Sequence, residues 1–277
     1  MDKFISSLII LAVSLATLAM PHTIHAATLT VTNCIVSNNI PDGIINIGVL
    51  DMTRSTVSNN TGRGVQNLRS SFITNSTFSG NTVDGIAVQE GNLALLNSTV
   101  SGNIRYGVDI QSNVASADLR NTIVAGNQTA DCHNFFNGIS SLGYNLLGAD
   151  NGCPADGIGD LTVEPDAVFA TVLGPLQNNG GPTETHALLP GSLSIDAIPI
   201  ENCVDPDGAP ITTDQRGLSR PQGPACDIGA YEWDGSIIDV EIDIIPGRYP
   251  NRINLHSKEK VPVAIPKPPS RAIPMMD

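Results

Sequence analysis

The chain has 277 residues, of which 41% are hydrophobic, 15% charged and only 4% aromatic, with a formal net charge of -13. No lysine lies between Lys3 and Lys258 and the net charge is -13, so the chain has little basic charge to displace counterions from phosphates, and nucleic acid is not expected as a partner. Small polar residues and 26 glycines fill the balance, a composition that suits short strands and tight turns better than helices.

The N-terminus carries Lys3, an apolar run over residues 4–20, and Ile24-His25-Ala26 before Ala27. This is the pattern of a cleaved secretory leader, so residues 1–26 are predicted to be a signal peptide. The competing reading is a retained anchor, for which about 17 apolar residues is short. Cleavage leaves no membrane insertion and places the protein outside the cell or on its surface, where disulfides are permitted.

Residues 28–32 alternate as a strand does, and a repeat begins after them. Its phrases are Ile35-Val36-Ser37-Asn38-Asn39, Thr56-Val57-Ser58-Asn59-Asn60, Thr77-Phe78-Ser79-Gly80-Asn81, Thr99-Val100-Ser101-Gly102-Asn103 and Ile123-Val124-Ala125-Gly126-Asn127. The closing asparagines lie 21, 21, 22 and 24 residues apart, and Gly43, Gly64, Gly85 and Gly107 keep the same beat. Two markers with one period define a structural repeat. Alternation within the phrases predicts that Val36, Val57, Phe78, Val100 and Val124 form one inward column. Ile44, Val65, Ile86 and Val108 form a second. The third comes from Val49, Phe72 or Ile73, Leu93 or Leu95, and Leu119. The Asn-x-x-x-Gly phrase is a corner, where both residue types tolerate a left-handed backbone and stacked amides can bond from coil to coil. The predicted fold is all-β: a right-handed parallel β-helix, a single-stranded solenoid with three short strands per coil and about five coils over residues 27–160, ending in an irregular C-terminal cap.

The beat fails at Asp131. Cys132 and Cys153 flank a Gly/Asn-rich loop and Cys203 and Cys226 a Pro/Gly-rich one, so these are expected to be the two disulfides. Cys34 is left over; it aligns with Ser55, Ser76 and Ser98 and should face inward as a buried free thiol. Residues 161–234 read as a capping segment.

Ordered motifs run through that segment: Gly180-Gly181-Pro182-Thr183, His186-Ala187-Leu188-Leu189-Pro190-Gly191-Ser192, Ile195-Asp196-Ala197, Thr213-Asp214-Gln215-Arg216-Gly217, Arg220-Pro221 and Cys226-Asp227-Ile228-Gly229-Ala230-Tyr231-Glu232. They resemble the choice-of-anchor Q domain, a family of secreted bacterial β-helix proteins in the pectin-lyase-like superfamily. With the asparagine repeats the similarity spans residues 28–232. The resemblance implies a β-helix at the cell surface or outside it, and no particular reaction. Residues 235–277 read as an incomplete β module and a flexible Pro-rich tail.

Candidate chemistry falls in two groups. On the coils stand Asp42, Asp84, Glu90, Arg105, Asp109 and Asp118, with Arg63 and Tyr106 at the corner position that Asp42 and Asp84 share. Paired carboxylates, or a base beside carboxylates, would suit a polysaccharide lyase or glycoside hydrolase, and Asp109 and Asp118 on neighbouring strands are one such pair. The plainer reading of Asp42 and Asp84 is Asp-Gly turn chemistry. The second group is Asp196, Asp214, Arg216, Arg220, Asp227 and Glu232. Asp196 and Asp214 are its catalytic candidates, and its functional reading is a sugar or Ca²⁺ site. The favoured reading is a structural ion network covering the C-terminal end of the solenoid, with no cofactor. His186 is expected to satisfy a local hydrogen bond. Asn59, Asn75, Asn97 and Asn127 begin glycosylation sequons, for which the repeat is already sufficient reason. Outward Thr56, Thr77 and Thr99 are expected to form a flat, uncharged ladder suited to weak contact with a polysaccharide or simply to solubility, and the partners expected of the protein are an extracellular polysaccharide or cell-surface proteins. The leading expectation is a non-catalytic structural or adhesive module; the alternative is a carbohydrate-active enzyme of the pectin-lyase-like class.

Overall fold

The computed structural model describes residues 7–9, 22–149, 152–205 and 207–235. Most of the expected leader and all of 236–277 lie outside them. Strand His22–Thr32 passes through the expected cleavage point, and its ladder with Ile44–Thr53 shifts register between His25 and Thr28.

The chain is a parallel β-helix of about five coils, with almost no helix. Three faces wind about one core. Face I stacks Ile35–Ser37, Thr56–Ser58, Thr77–Ser79, Thr99–Ser101 and Ile123–Val124, then Leu146–Gly148 and Leu161–Val163. Face II stacks the first half of Ile44–Thr53 on Val65–Asn67, Ile86–Val88, Tyr106–Ile110 and Ala130–His133. Face III stacks the second half of Ile44–Thr53 on Ser70–Thr74, Gly91–Leu96, Ala115–Arg120 and Ile139–Ser141. Strand Ile44–Thr53 turns no corner, so in the first coil faces II and III are one strand.

The core columns follow from this register. Val36, Val57, Phe78, Val100 and Val124 are paired in sequence and buried, as are Ile44, Val65, Ile86 and Val108, whose column continues into Cys132. The third column differs from expectation at Val49, and of the two residues left open in the next coil the inner one is Ile73. Val49 and Phe72 point outward and are exposed, while Leu50 and Met52, Ile73, Leu93 and Leu95, and Ala117 and Leu119 fill the interior. A one-residue slip in assigning parity exchanges the faces of a strand.

Each corner uses a different device. Between faces I and II, the left-handed residue is the one before the repeat asparagine: Asn38, Asn59, Gly80, Gly102 and Gly126, with φ from 55° to 79°. The repeat asparagines turn inward instead. Asn39 donates both its backbone N–H and Nδ2 to Oδ1 of Asn60, at 2.9 Å each. Asn60 does the same to Asn81, Asn81 to Asn103, and Asn103 to Asn127. Asn127 ends the ladder on Oδ1 of Asp131. Nδ2 of Asn60, Asn81, Asn103 and Asn127 also donates to the carbonyl of Val36, Val57, Phe78 and Val100. Gly85 is not left-handed; it is glycine because a Cβ there would lie 2.8 Å from the Gly107 carbonyl oxygen and 2.9 Å from Asn103 Nδ2.

Between faces III and I, Asn33, Arg54, Asn75, Asn97, Asn121 and Tyr144 are left-handed. The next residue builds a second ladder: Cys34 N–H donates to Ser55 Oγ, Ser55 to Ser76, Ser76 to Ser98 and Ser98 to Thr122. Cys34 closes that ladder as a half-buried free thiol whose Sγ donates to the Thr32 carbonyl, and burial raises its pKa. Disulfides join Cys132 to Cys153 and Cys203 to Cys226.

The capping segment lies elsewhere than expected. Residues 183–186, 213–215 and 229–230 lie against the outer side of face I and bury its threonines. Gln215 bridges two coils, accepting from Thr77 Oγ1 at 2.7 Å and donating to Thr56 Oγ1 at 2.9 Å. Thr56 donates to the Glu184 carbonyl, Asn75 Nδ2 to the Thr213 carbonyl, and Ala230 N–H to Thr99 Oγ1. Thr56, Thr77 and Thr99 are therefore buried and offer no open ladder. A second apolar core forms beneath the segment, from Ile123, Leu146, Val168, Val172, Leu173, Ile198, Ile228 and the Cys203–Cys226 bridge. Ser141 and Asn145 bond Asp160 at the end of the coils, tying down the excursion that follows Cys132.

Removing an inner rung of the amide ladder leaves buried donors without acceptors on the preceding coil. Asn81→Ala is expected to destabilise the fold by about 3 kcal/mol or more, and Asn39→Ala by clearly less, because Asn39 Oδ1 accepts no bond among the described residues. Denaturant unfolding of the two variants checks the order.

Candidate functional site

Five residues spaced by the repeat converge outside face II. Asp42 and Asp84 precede the corner glycines, Arg63 holds the same position in the coil between and Tyr106 in the coil after, and Arg105 precedes Tyr106. Asp42 Oδ1 accepts the Arg63 backbone N–H at 2.7 Å, so its turn role is real. Its side chain also faces that of Arg63, at 3.9 Å. Arg63 Nε stands 3.4 Å from Asp84 Oδ2, and Arg105 Nη1 stands 3.7 Å from the same oxygen. Arg105 Nη1 is also 4.0 Å from Asp109 Oδ2. Charges thus alternate along the solenoid: Asp42, Arg63, Asp84, Arg105, Asp109.

Asp109 faces outward, yet it is buried. His133, its register partner on the next coil, approaches Asp109 Oδ1 with Nδ1 at 2.7 Å, and Gln111 Nε2 donates to Oδ2 at 2.9 Å. The His133 ring stacks on Tyr106, with centroids 4.8 Å apart and planes 9° from parallel, and Arg105 covers the Tyr106 ring at 4.5 Å. Gln66 and Gln89 bond each other nearby on the open surface.

Burial pushes the Asp84 carboxyl up to about 6, helped by the charge of Asp109 and opposed by Arg105 and Arg63. Because one Arg105 nitrogen reaches both, Asp84 Oδ2 and Asp109 Oδ2 are no more than about 8 Å apart, within the range over which two carboxyl groups can serve one glycosidic bond. Both are shielded: the side chains of Arg63, Arg105 and His133 are 26%, 42% and 40% exposed, and those of Asp84 and Asp109 0% and 2%.

Asp118 does not join this group; it is exposed on face III and forms no ion pair among the described residues. Glu90 is exposed too. His133 escapes a reading of the sequence because it lies beyond the point where the repeat phrase fails; extending the beat by 24 residues from Asp109 would have found it.

The second group assembles within the segment on face I. Arg216 Nη2 and Nε both reach Asp214 Oδ2 at 2.8 Å, and its guanidinium lies 3.6 Å over the Tyr231 ring. Arg220 Nε meets Glu232 Oε2 at 3.2 Å, and its other nitrogens donate to the Asp227 and Gly229 carbonyls. Asp227 accepts from Asp196 N–H and Trp233 N–H. Asp214 accepts from the N–H groups of Arg216, Leu218 and Glu232. Asp196 is a left-handed turn residue that also accepts from Ala225 N–H. Burial raises Asp227, and raises Glu232 to about 7 against the pull of Arg220. These carboxylates are spent on backbone N–H groups and guanidinium, an arrangement that orders a loop-rich segment. Among the described residues no three His, Cys, Asp or Glu side chains converge to hold a metal ion, and no helix is long and apolar enough to cross a membrane.

Of the sequon asparagines, Asn75, Asn97 and Asn127 are buried and Asn59 is exposed. Comparison with family models, curated proteins and solved structures finds no match.

The electrostatics give a signed expectation. Asp84 should titrate near pH 6 by carboxyl ¹³C shift; Arg105→Ala should move that midpoint up and Asp109→Asn should move it down. Glu232 is raised from 4.5 to about 7, so the folded state holds its proton more tightly than the unfolded chain. Its contribution to stability is therefore present at low pH and is lost as pH rises through about 7. The melting temperature should be higher at pH 6.5 than at pH 8, and Glu232→Gln should flatten that difference.

Proposed function

We propose that the chain is a secreted or cell-surface β-helix module, structural or adhesive in role, that contacts an extracellular glycan through the strip outside face II. One observation carries this reading. Each buried carboxylate of the strip lies under a side chain that is itself partly open to solvent, so the surface presents guanidinium, imidazole and amide donors instead of free acids. Such an array suits sugar hydroxyls and carboxylates, which accept from planar, oriented donors. Two disulfides support an oxidising, extracellular setting. The resemblance of the segment on face I to the choice-of-anchor Q domain supports the same location.

A second reading rests on Asp84 and Asp109. A carboxyl raised to about 6 beside another carboxyl that orients His133 is also how a carbohydrate-active enzyme of the pectin-lyase-like class would separate an acid from a base. A glycan array run together with turnover assays on neutral and acidic polysaccharides, with and without Ca²⁺, separates the two. The module reading predicts binding without product, weakened about tenfold or more in the Arg63→Ala/Arg105→Ala variant. Product formation abolished by Asp84→Asn would replace it with the enzyme, and absence of both binding and product would remove the strip from consideration.

A further inference from the structure

The strip outside face II holds three buried carboxylates, and they are not held alike. Asp42 Oδ1 accepts the Arg63 backbone N–H at 2.7 Å. Asp109 accepts from Gln111 Nε2 at 2.9 Å on one oxygen and meets His133 Nδ1 at 2.7 Å on the other. Asp84 has only the Tyr106 backbone N–H, at 3.3 Å on Oδ1, and its Oδ2 is buried with no hydrogen bond among the described residues. Around it stand Arg63 and Arg105 as cations and Asp109 as a like charge, with Asp42 reached through Arg63 and His133 through Asp109. Asp84 is the carboxylate of the strip with the least hydrogen bonding to lose on taking a proton. Burial, helped by Asp109, pushes it up to about 6.

The two cations are unspent. A guanidinium carries five N–H donors, and the side chains of Arg63 and Arg105 donate none of theirs to a hydrogen bond among the described residues. Their approaches to Asp84 Oδ2, at 3.4 Å and 3.7 Å, are contacts of charge alone. Since both reach one oxygen, Arg63 Nε and Arg105 Nη1 are no more than about 7 Å apart, so the two groups flank a single buried charge and sit near enough to share one anion. Solvent reaches them directly: the side chains of Arg63 and Arg105 are 26% and 42% exposed, that of Asp84 behind them 0%. Arg105 rests on the Tyr106 ring, which fixes its plane.

We infer that the strip takes up an acidic glycan together with a proton: a carboxylate of the glycan replaces Asp84 as the anion facing Arg63 and Arg105, while Asp84 becomes neutral beneath them. This rests on the glycan-contacting reading of the strip, and adds to it the charge of the ligand and the control of its binding. With Asp84 ionised, Asp42, Asp84 and Asp109 outnumber Arg63 and Arg105, and an approaching anion is repelled. With Asp84 neutral the two signs balance, and both guanidinium groups turn their charge to the solvent side. One proton passes from solvent to the Asp84 carboxyl and no covalent bond to carbon changes. The sign follows: affinity for the anion rises as pH falls through about 6, and by reciprocity the bound anion raises the midpoint of Asp84 by the same factor.

The full chain is titrated by calorimetry, at pH 5 and pH 7.5 and fixed ionic strength, with an oligouronate and with the same oligosaccharide after reduction of its carboxyl groups to alcohols. The uronate carboxylates stay ionised over that range, so the protein alone supplies any difference. The oligouronate should bind about tenfold tighter at pH 5 and the reduced sugar equally at both, while saturation with oligouronate should raise the carboxyl ¹³C midpoint of Asp84 by about one pH unit. Asp84→Asn, which keeps an acceptor for the Tyr106 N–H, should bind oligouronate at pH 7.5 about as tightly as the wild type does at pH 5. A pH difference that persists in Asp84→Asn assigns the proton to His133 or another group and overturns the inference. Equal wild-type affinity at the two pH values, or a reduced sugar that binds as well as the acidic one, also overturns it and leaves the glycan-contacting reading standing. Binding of neither sugar, with no hit on the glycan array, removes both.

Discussion

The structure depends on a buried amide that serves two masters. Asn60, Asn81 and Asn103 each receive the backbone N–H and Nδ2 of the asparagine before on one oxygen, and pass their own two donors to the asparagine after. A corner of the backbone buried in an apolar interior would otherwise strand its N–H groups, at a cost of several kcal/mol for the run. The ladder satisfies them and fixes the register as well, because only one stacking places every amide against the next. The close approach this demands explains the corner glycines, whose Cβ would strike the ladder amide or a carbonyl of the next coil.

Once the coils are in register, the outward positions also fall into columns, and the chain uses two of them in opposite ways. On face I the outward column is uncharged, and the segment that returns over it matches hydroxyl to amide and backbone, with Gln215 spanning two coils. That segment has little regular structure of its own; Asp214, Asp227 and Glu232 hold its backbone N–H groups while Arg216 and Arg220 neutralise them. At the corner into face II the position before the glycine carries charge, and Asp42, Arg63 and Asp84, each one coil apart, alternate in sign. Repetition turns single turn-forming aspartates into a continuous strip.

Much of this is visible in the residues. The 21- to 24-residue beat gives the coil, parity gives the inner columns, and cysteines flanking loops give both disulfides. What parity cannot supply is cover. Parity places Thr77 on the outer side of its strand, but nothing local says that Gln215, 138 residues away, closes over it. Nor does a short alternating strand say which parity is inner, so the residues leave Phe72 and Ile73 open and put Val49 on the wrong side of the wall. The strip was half legible: Asp42, Arg63 and Asp84 share one repeat position, whereas His133 joins only through register with Asp109 across an irregular coil. The spacing points to left-handed geometry at the right corner but the wrong residue, because Asn38-Asn39 and Asn59-Asn60 each offer two asparagines and the spacing alone does not say which one bends.

The most direct test of the account is hydrogen exchange at the side-chain amides of Asn60, Asn81 and Asn103, followed by NMR. If these amides hold the coils together, their Nδ2 protons exchange only through global unfolding, as slowly as the core amides of Val57 and Val100. Exchange at the rate of a solvent-exposed amide such as that of Asn59, in a chain that remains folded, would contradict it.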